Sequence, residues 1–204
     1  MSEFNSRAHD WDNNPIHWER SEAIAKSLLE TVPVNSNMKA LEFGAGTGIL
    51  GFLLSEHFSE ITLMDNAEEM VKVMHEKVLK SKSSNIKPLF LDLEHSDYFA
   101  GKFDIIFTQM VLHHIQDTEN ILNKFFMLLN PGGYLAIADL YLEDGSFHVQ
   151  GFSGHNGFDV TYLQTLLEKI GFEQITSKPC YTIKKPINGI LCEFPIFLMI
   201  AIRK

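Results

Sequence analysis

The sequence predicts an α/β fold in which a mostly parallel sheet carries helices on both faces. Short apolar runs that end in an acid alternate with longer segments whose apolar residues recur at helical spacing. Residues 38 to 51, MKALEFGAGTGILG, join such a run to three closely spaced glycines and then to a second apolar stretch, which reads as buried strand, tight turn and helix. At 204 residues, 45% hydrophobic and 21% charged, the chain can build one full core and bury on the order of 70% of its unfolded surface. The expected organisation is a single domain over residues 1 to 204, with a helical cap at 1 to 35 and a core at 36 to 204.

Charge narrows the partners. Seventeen basic against 26 acidic residues give a net charge of -9, which opposes attraction to nucleic acid or to an anionic membrane. The first twenty residues lack a signal-peptide core, and the longest apolar run, residues 194 to 202, is broken by Pro195, so a cytoplasmic protein is expected. Cys180 and Cys192 are too isolated for a disulfide framework or a zinc site, and no metal is expected.

The glycine-rich stretch carries the chemistry. Gly44, Gly46 and Gly48 fall in the strand-to-helix turn, where a missing Cβ permits left-handed backbone and close ligand approach. The helix start adds N–H donors for an anionic group, and Glu42 adds an acceptor-only side chain suited to an ammonium. This E-F-G-A-G-T-G pattern resembles the first motif of class I methyltransferases that use S-adenosylmethionine (SAM). The literal G-x-G-x-x-G is also present at Gly46, Gly48 and Gly51, which keeps an NAD-dependent oxidoreductase as an alternative. Glu42 favours the sulfonium ligand, because an acid there would face a dinucleotide's pyrophosphate.

The resemblance covers about residues 38 to 204. It implies a three-layer Rossmann-like methyltransferase fold, with a seven-stranded, mostly parallel sheet and one antiparallel strand. It also implies SAM as cofactor, S-adenosylhomocysteine (SAH) as product and a small-molecule acceptor, in a monomer or homodimer. A non-catalytic SAM-binding regulatory protein is a further alternative, and a protein acceptor stays open.

Taken in order, Asn14 and Pro15 read as N-cap and first residue of a helix running to about Thr31. Trp11 and Asp12 precede it, as in small SAM methyltransferases, which makes Trp11 a ligand candidate and the N-terminal piece a lid. Residues 60 to 64 form a second strand that ends at Asp65 and Asn66. Asp65 is placed for ribose hydroxyls, with capping of the helix from Ala67 as the competing role. Residues 86 to 91 make a third strand, and the resemblance assigns adenine to Asp92 and Leu93 beyond it. After a fourth strand at 103 to 107, Gln109 is expected near the sulfonium and His113 or His114 near the substrate. Adjacent helical residues point about 100° apart, so the two histidines are not expected to share one task.

Ile121, Leu122, Phe125, Leu128 and Leu129 mark a helix stopped by Asn130 to Gly133, and residues 133 to 138 a fifth strand ending at Asp139. LLNPGGYLAIAD resembles the corresponding segment of the same methyltransferase class. Residues 140 to 158 have no clear period and read as a functional or mobile loop. Asp159 caps a last helix closed by Gly171, and two strands follow near 172 to 182 and 189 to 202. Transfer of an already activated methyl needs alignment more than a catalytic group. His113, His114 and His155 are the general-base candidates for a hydroxyl or protonated amine acceptor.

Overall fold

The computed structural model describes residues 4–148 and 151–204. A 3-10 helix, Asn5–Asn13, leads into α1, Pro15–Thr31. Pro15 needs no N–H partner at the first helical position, and the Asn14 side chain accepts the Ile16 N–H at 3.1 Å. The remaining order is β1 (Lys39–Phe43), α2 (Ile49–Leu54), β2 (Glu60–Asp65), α3 (Glu68–Ser81), β3 (Ile86–Phe90), β4 (Phe103–Gln109), α4 (Thr118–Leu128), β5 (Leu129–Leu140), α5 (Val160–Ile170), β6 (Phe172–Ile187) and β7 (Ile190–Arg203).

These strands form one seven-stranded sheet in the order β3-β2-β1-β4-β5-β7-β6. β1 to β5 pair in parallel, and β7 enters antiparallel between β5 and β6. The direction of winding reverses between β1 and β4, which opens a crevice beyond their carboxyl ends. Alternation along β1 divides the core: Ala40 and Glu42 face the side covered by α1 to α3, while Leu41 and Phe43 face α4 and α5. Ile24, Leu28, Leu50 and Leu54 fill the first side; Ile121, Phe125, Leu163 and Leu167 fill the second. Truncating one of these buried aliphatic side chains to alanine costs about 2 to 5 kcal/mol, and Phe125 about 3 to 5 kcal/mol.

Two boundaries differ from expectation. The Asn130 to Gly133 stop lies inside β5, where Gly132 at φ +79° lets four residues of β5 sit between the pairs Phe103–Leu129 and Ile105–Tyr134. The closing hairpin is longer than its apolar pattern because Asn188 (φ +50°) and Gly189 (φ +81°) supply the left-handed pair of a tight two-residue turn.

Candidate functional site

The glycine turn leaves the end of β1 in a left-handed path. Gly44, Gly46 and Gly48 have φ of +67°, +58° and +81°. A Cβ on Gly44 would lie 2.4 Å from a Val111 methyl, and one on Gly48 would lie 2.7 Å from Leu63. Those two glycines are required by packing. At Gly46 the nearest atom to such a Cβ is the Trp11 indole nitrogen, at 3.8 Å, so here the backbone is open under an aromatic roof.

Asp65 joins the turn to the next strand. One carboxylate oxygen accepts the Gly46 N–H at 2.7 Å and the other accepts the Ala67 N–H at 2.8 Å. Asp65 thus closes the turn ahead of α3 and does not cap it, since the N-cap position is Ala67 with no side-chain cap, and lone pairs remain for further donors. Burial raises the Asp65 pKa, against the Ala67, Gly46 and Asn66 amides, which lower it.

Glu42 lies beneath the same turn with no solvent exposure, and neither carboxyl oxygen has a hydrogen-bond partner among the described residues. Burial pushes its pKa up to about 8, against the opposing pull of the Gly51 amide and the Lys77 charge. The Gly51 amide acts from close by without reaching hydrogen-bond geometry, since both oxygens remain unpartnered. A buried acceptor in this state lacks a cationic donor.

The N-terminal segment closes over this region. Asp12 accepts from the Thr47 hydroxyl and from the Lys77 ammonium, the latter at 2.7 Å. Trp11 stacks on His17 with ring centroids 4.1 Å apart, and Ala8 packs with Ala67 and Met70. Sequence reasoning placed Trp11 near the ligand; the fold sets its indole above Gly46.

Further along the crevice, the Leu91 N–H donates to the Asp65 carbonyl at 3.0 Å, which brings the β3 end beside the β2 end. Asp92 accepts the Glu94 N–H at 3.1 Å and pairs with His95 at 3.0 Å, while Leu93 is buried. Asp92 thus also organises its own turn. Gln109, expected near the sulfonium, exchanges hydrogen bonds with Ser21 of α1 at 3.0 and 3.2 Å. Behind it, Met110 takes φ +55°, a strained turn that sequence reasoning missed, and sends the chain from β4 toward the histidines.

At the ends of β4 and β5 the structure departs from one expectation. His113 and His114 lie in a 3-10 turn, Leu112–His114, with ring centroids 4.3 Å apart. The angle between their Cα–Cβ bonds does not separate the rings, because His148 and Phe152 fold over both. The two residues therefore share one site. His155 stands outside that ring cluster. Its Nε2 lies 2.9 Å from the Ile115 carbonyl and 3.2 Å from the Thr118 hydroxyl, and it lines a cavity of about 650 Å³ with residues of α4 and α5.

His113 is buried against Asp139, with Nδ1 2.6 Å from one carboxylate oxygen and its own N–H donating to the other at 3.2 Å. Burial, joined by the charges of His113 and His148, lowers the pKa of His114 to about 4. His148 is likewise lowered to about 4, first by burial and then by His113 and Lys185. Arg20 of α1, itself buried, faces Tyr181 and Asp139 electrostatically; burial brings its pKa down to about 10. His148 was not singled out from the sequence; its signal was a histidine in an aperiodic loop beyond the fifth strand.

This parallel sheet, its switch point and the acid followed by three left-handed glycines define the class I SAM-dependent methyltransferase fold. The chain belongs to the methyltransferase domain family, whose model matches residues 34–176. It is 30% identical over 139 residues to the uncharacterized methyltransferase C1347.09 of Schizosaccharomyces pombe, covering 60% of this chain and 49% of that protein. It is 26% identical over 138 residues to the ubiquinone biosynthesis O-methyltransferase of Coxiella burnetii, covering 66% of this chain and 58% of the relative. Among solved structures, the Haemonchus contortus phosphoethanolamine N-methyltransferase 2, in complex with phosphomonomethylethanolamine and SAH, superposes with a TM-score of 0.73 at 17% identity. That match covers 91% of this chain and 52% of the other. The chain thus spans about half the length of each. Among the described residues, no helix is long and apolar enough to cross a membrane.

Proposed function

We propose that this protein is a SAM-dependent methyltransferase that passes the methyl group to a small-molecule acceptor by in-line displacement. The observation that carries the reading is Glu42, a fully buried carboxyl without a hydrogen-bond partner, set under a left-handed glycine turn. An amino acid end of opposite charges suits both features: its ammonium for Glu42, its carboxylate for the turn and helix-start N–H groups. Asp65 and Asn66 hold the ribose, Asp92 and Leu93 the adenine, and Trp11 covers Gly46.

When bound, SAM supplies a sulfonium methyl that needs no further activation. The residues of this chain orient donor and acceptor and exclude water. Asp12, tied to Thr47 and Lys77, holds the cap in place for that exclusion. Gln109, fixed by Ser21, forms part of the wall between α1 and β4. His113 and His114, beyond the ends of β4 and β5, line the acceptor end of the site. His155 is turned to Ile115 and Thr118.

Calorimetric titration of the full chain with SAM, SAH and NAD tests the proposal. One site for SAM and SAH, weakened about 5- to 150-fold by Glu42→Ala, is expected, with no response to NAD; the fold-change corresponds to leaving a buried charged partner unpaired. Binding of NAD in place of SAH would overturn it.

A further inference from the structure

We propose that His113, His114 and His148 form a binding site for one divalent transition-metal ion of the zinc class, with a coordination position left for water or for the methyl acceptor. One ring nitrogen from each histidine can be chosen so that all lie within 4.8 Å of one another. The ring centroids are 4.3, 5.0 and 5.5 Å apart. Metal–nitrogen bonds of about 2.0 to 2.1 Å would need these nitrogens drawn slightly closer, within the reach of small side-chain rotations.

Two features separate this arrangement from ordinary aromatic packing. The buried Nε2 of His148 has no hydrogen-bond partner among the described residues. Burying such groups unsatisfied is unfavourable, and phenylalanine would fill the space without that penalty. In addition, His113 has its Nδ1 committed to the buried Asp139, which leaves Nε2 free for the cluster. A carboxylate behind a ligating imidazole fixes its tautomer and raises its basicity.

An imidazole ligates through a neutral ring nitrogen. Three neutral nitrogens suit zinc, cobalt or nickel and not magnesium or calcium, which prefer oxygen. Lys185 and Arg20 oppose a cation nearby, and Asp139 supplies the compensating negative charge. The site owes nothing to cysteine spacing: His148, beyond β5, lies against the turn after β4. That the open position takes the methyl acceptor rests on the proposed methyltransferase function; the metal site itself does not.

The test uses untagged, chelator-treated full chain. Cobalt(II) followed by visible absorption and zinc(II) followed by calorimetry should each show one equivalent bound. His114→Ala and His148→Ala should weaken it by at least about 10- to 100-fold, the range typical even of outer residues such as Asp139→Asn. His75→Ala, an exposed residue on α3, should leave it unchanged. SAH affinity measured on the same samples reports folding: it should persist in His148→Ala. Absence of cobalt binding, or binding indifferent to both His114→Ala and His148→Ala, would overturn the metal site. Metal binding without SAH binding would leave the site standing and remove the methyltransferase reading alone.

Discussion

Replacing Glu42 by glutamine should change how stability depends on pH more than it changes stability at any one acidic pH. In the folded protein this carboxyl keeps its proton up to about pH 8, whereas its ordinary value is 4.5. A carboxyl raised on folding contributes fully below its unfolded pKa, and that contribution is lost as pH rises through the folded pKa. The gap corresponds to at most about 5 kcal/mol, of which about 4 is lost between pH 5 and pH 9. Glutamine has nearly the same shape and no titration, so any constant penalty for its unpaired amide leaves the slope untouched. Urea unfolding of both ligand-free chains at a series of pH values provides the measurement. The wild-type free energy should fall by about 4 kcal/mol relative to Glu42→Gln across that window. Parallel curves would mean that Glu42 is hydrated or already paired, and the argument for a missing cationic donor would fail. With SAH present, the ammonium favours the charged carboxylate; near pH 7 binding should release roughly one proton, readable as buffer-dependent calorimetric heat.

Other perturbations separate the parts of the site. Asp65→Asn removes charge from the group that holds Gly46 and Ala67, and should reduce SAH affinity about 5- to 150-fold by calorimetry while the chain still folds. Gly51→Ala would place a Cβ 2.2 Å from a Leu63 methyl and 2.6 Å from Glu42, so thermal unfolding should show a loss of about 1 to 3 kcal/mol. Asp12→Ala breaks the contacts to Thr47 and Lys77 and should raise hydrogen exchange across residues 5 to 13, with a global change of only about 1 kcal/mol; unchanged exchange would show that apolar packing alone holds the cap.

The cofactor half was legible because its chemistry is local in sequence. Glu42, Gly44, Gly46 and Gly48 fall within one strand-turn-helix unit, and period and residue type alone place them together. Asp65 was legible for a similar reason, since a strand-ending acid in an alternating α/β pattern must reach the carboxyl end of the sheet. Gln109 shows the limit: its position was readable, but its Ser21 partner lies on α1, 88 residues away in sequence. The histidines fail for the same reason, since His148 and Asp139 meet His113 only through the β4–β5 pairing and the loop that follows. Local angle arguments separated His113 from His114; long-range packing joined them.

The two halves meet at a residue that no motif marks. Phe4 sets its ring edge-on to Trp11, with centroids 6.1 Å apart, and edge-on to His114 at 5.3 Å. One aromatic of the N-terminal segment therefore touches both the roof of the glycine turn and the histidine cluster beyond β4 and β5. A cap that covered only the glycine turn would leave water access to the acceptor end. Under the proposed function, methyl transfer requires a dry path between donor and acceptor, and the Trp11–Phe4–His114 contact would close both ends together. The same segment is pinned by Asp12 to Thr47 and Lys77, so movement that admits one ligand also loosens the wall of the other. Under the proposed function this geometry would couple acceptor and cofactor binding, and Phe4→Ala should weaken that coupling while leaving Glu42 and the glycine turn in place.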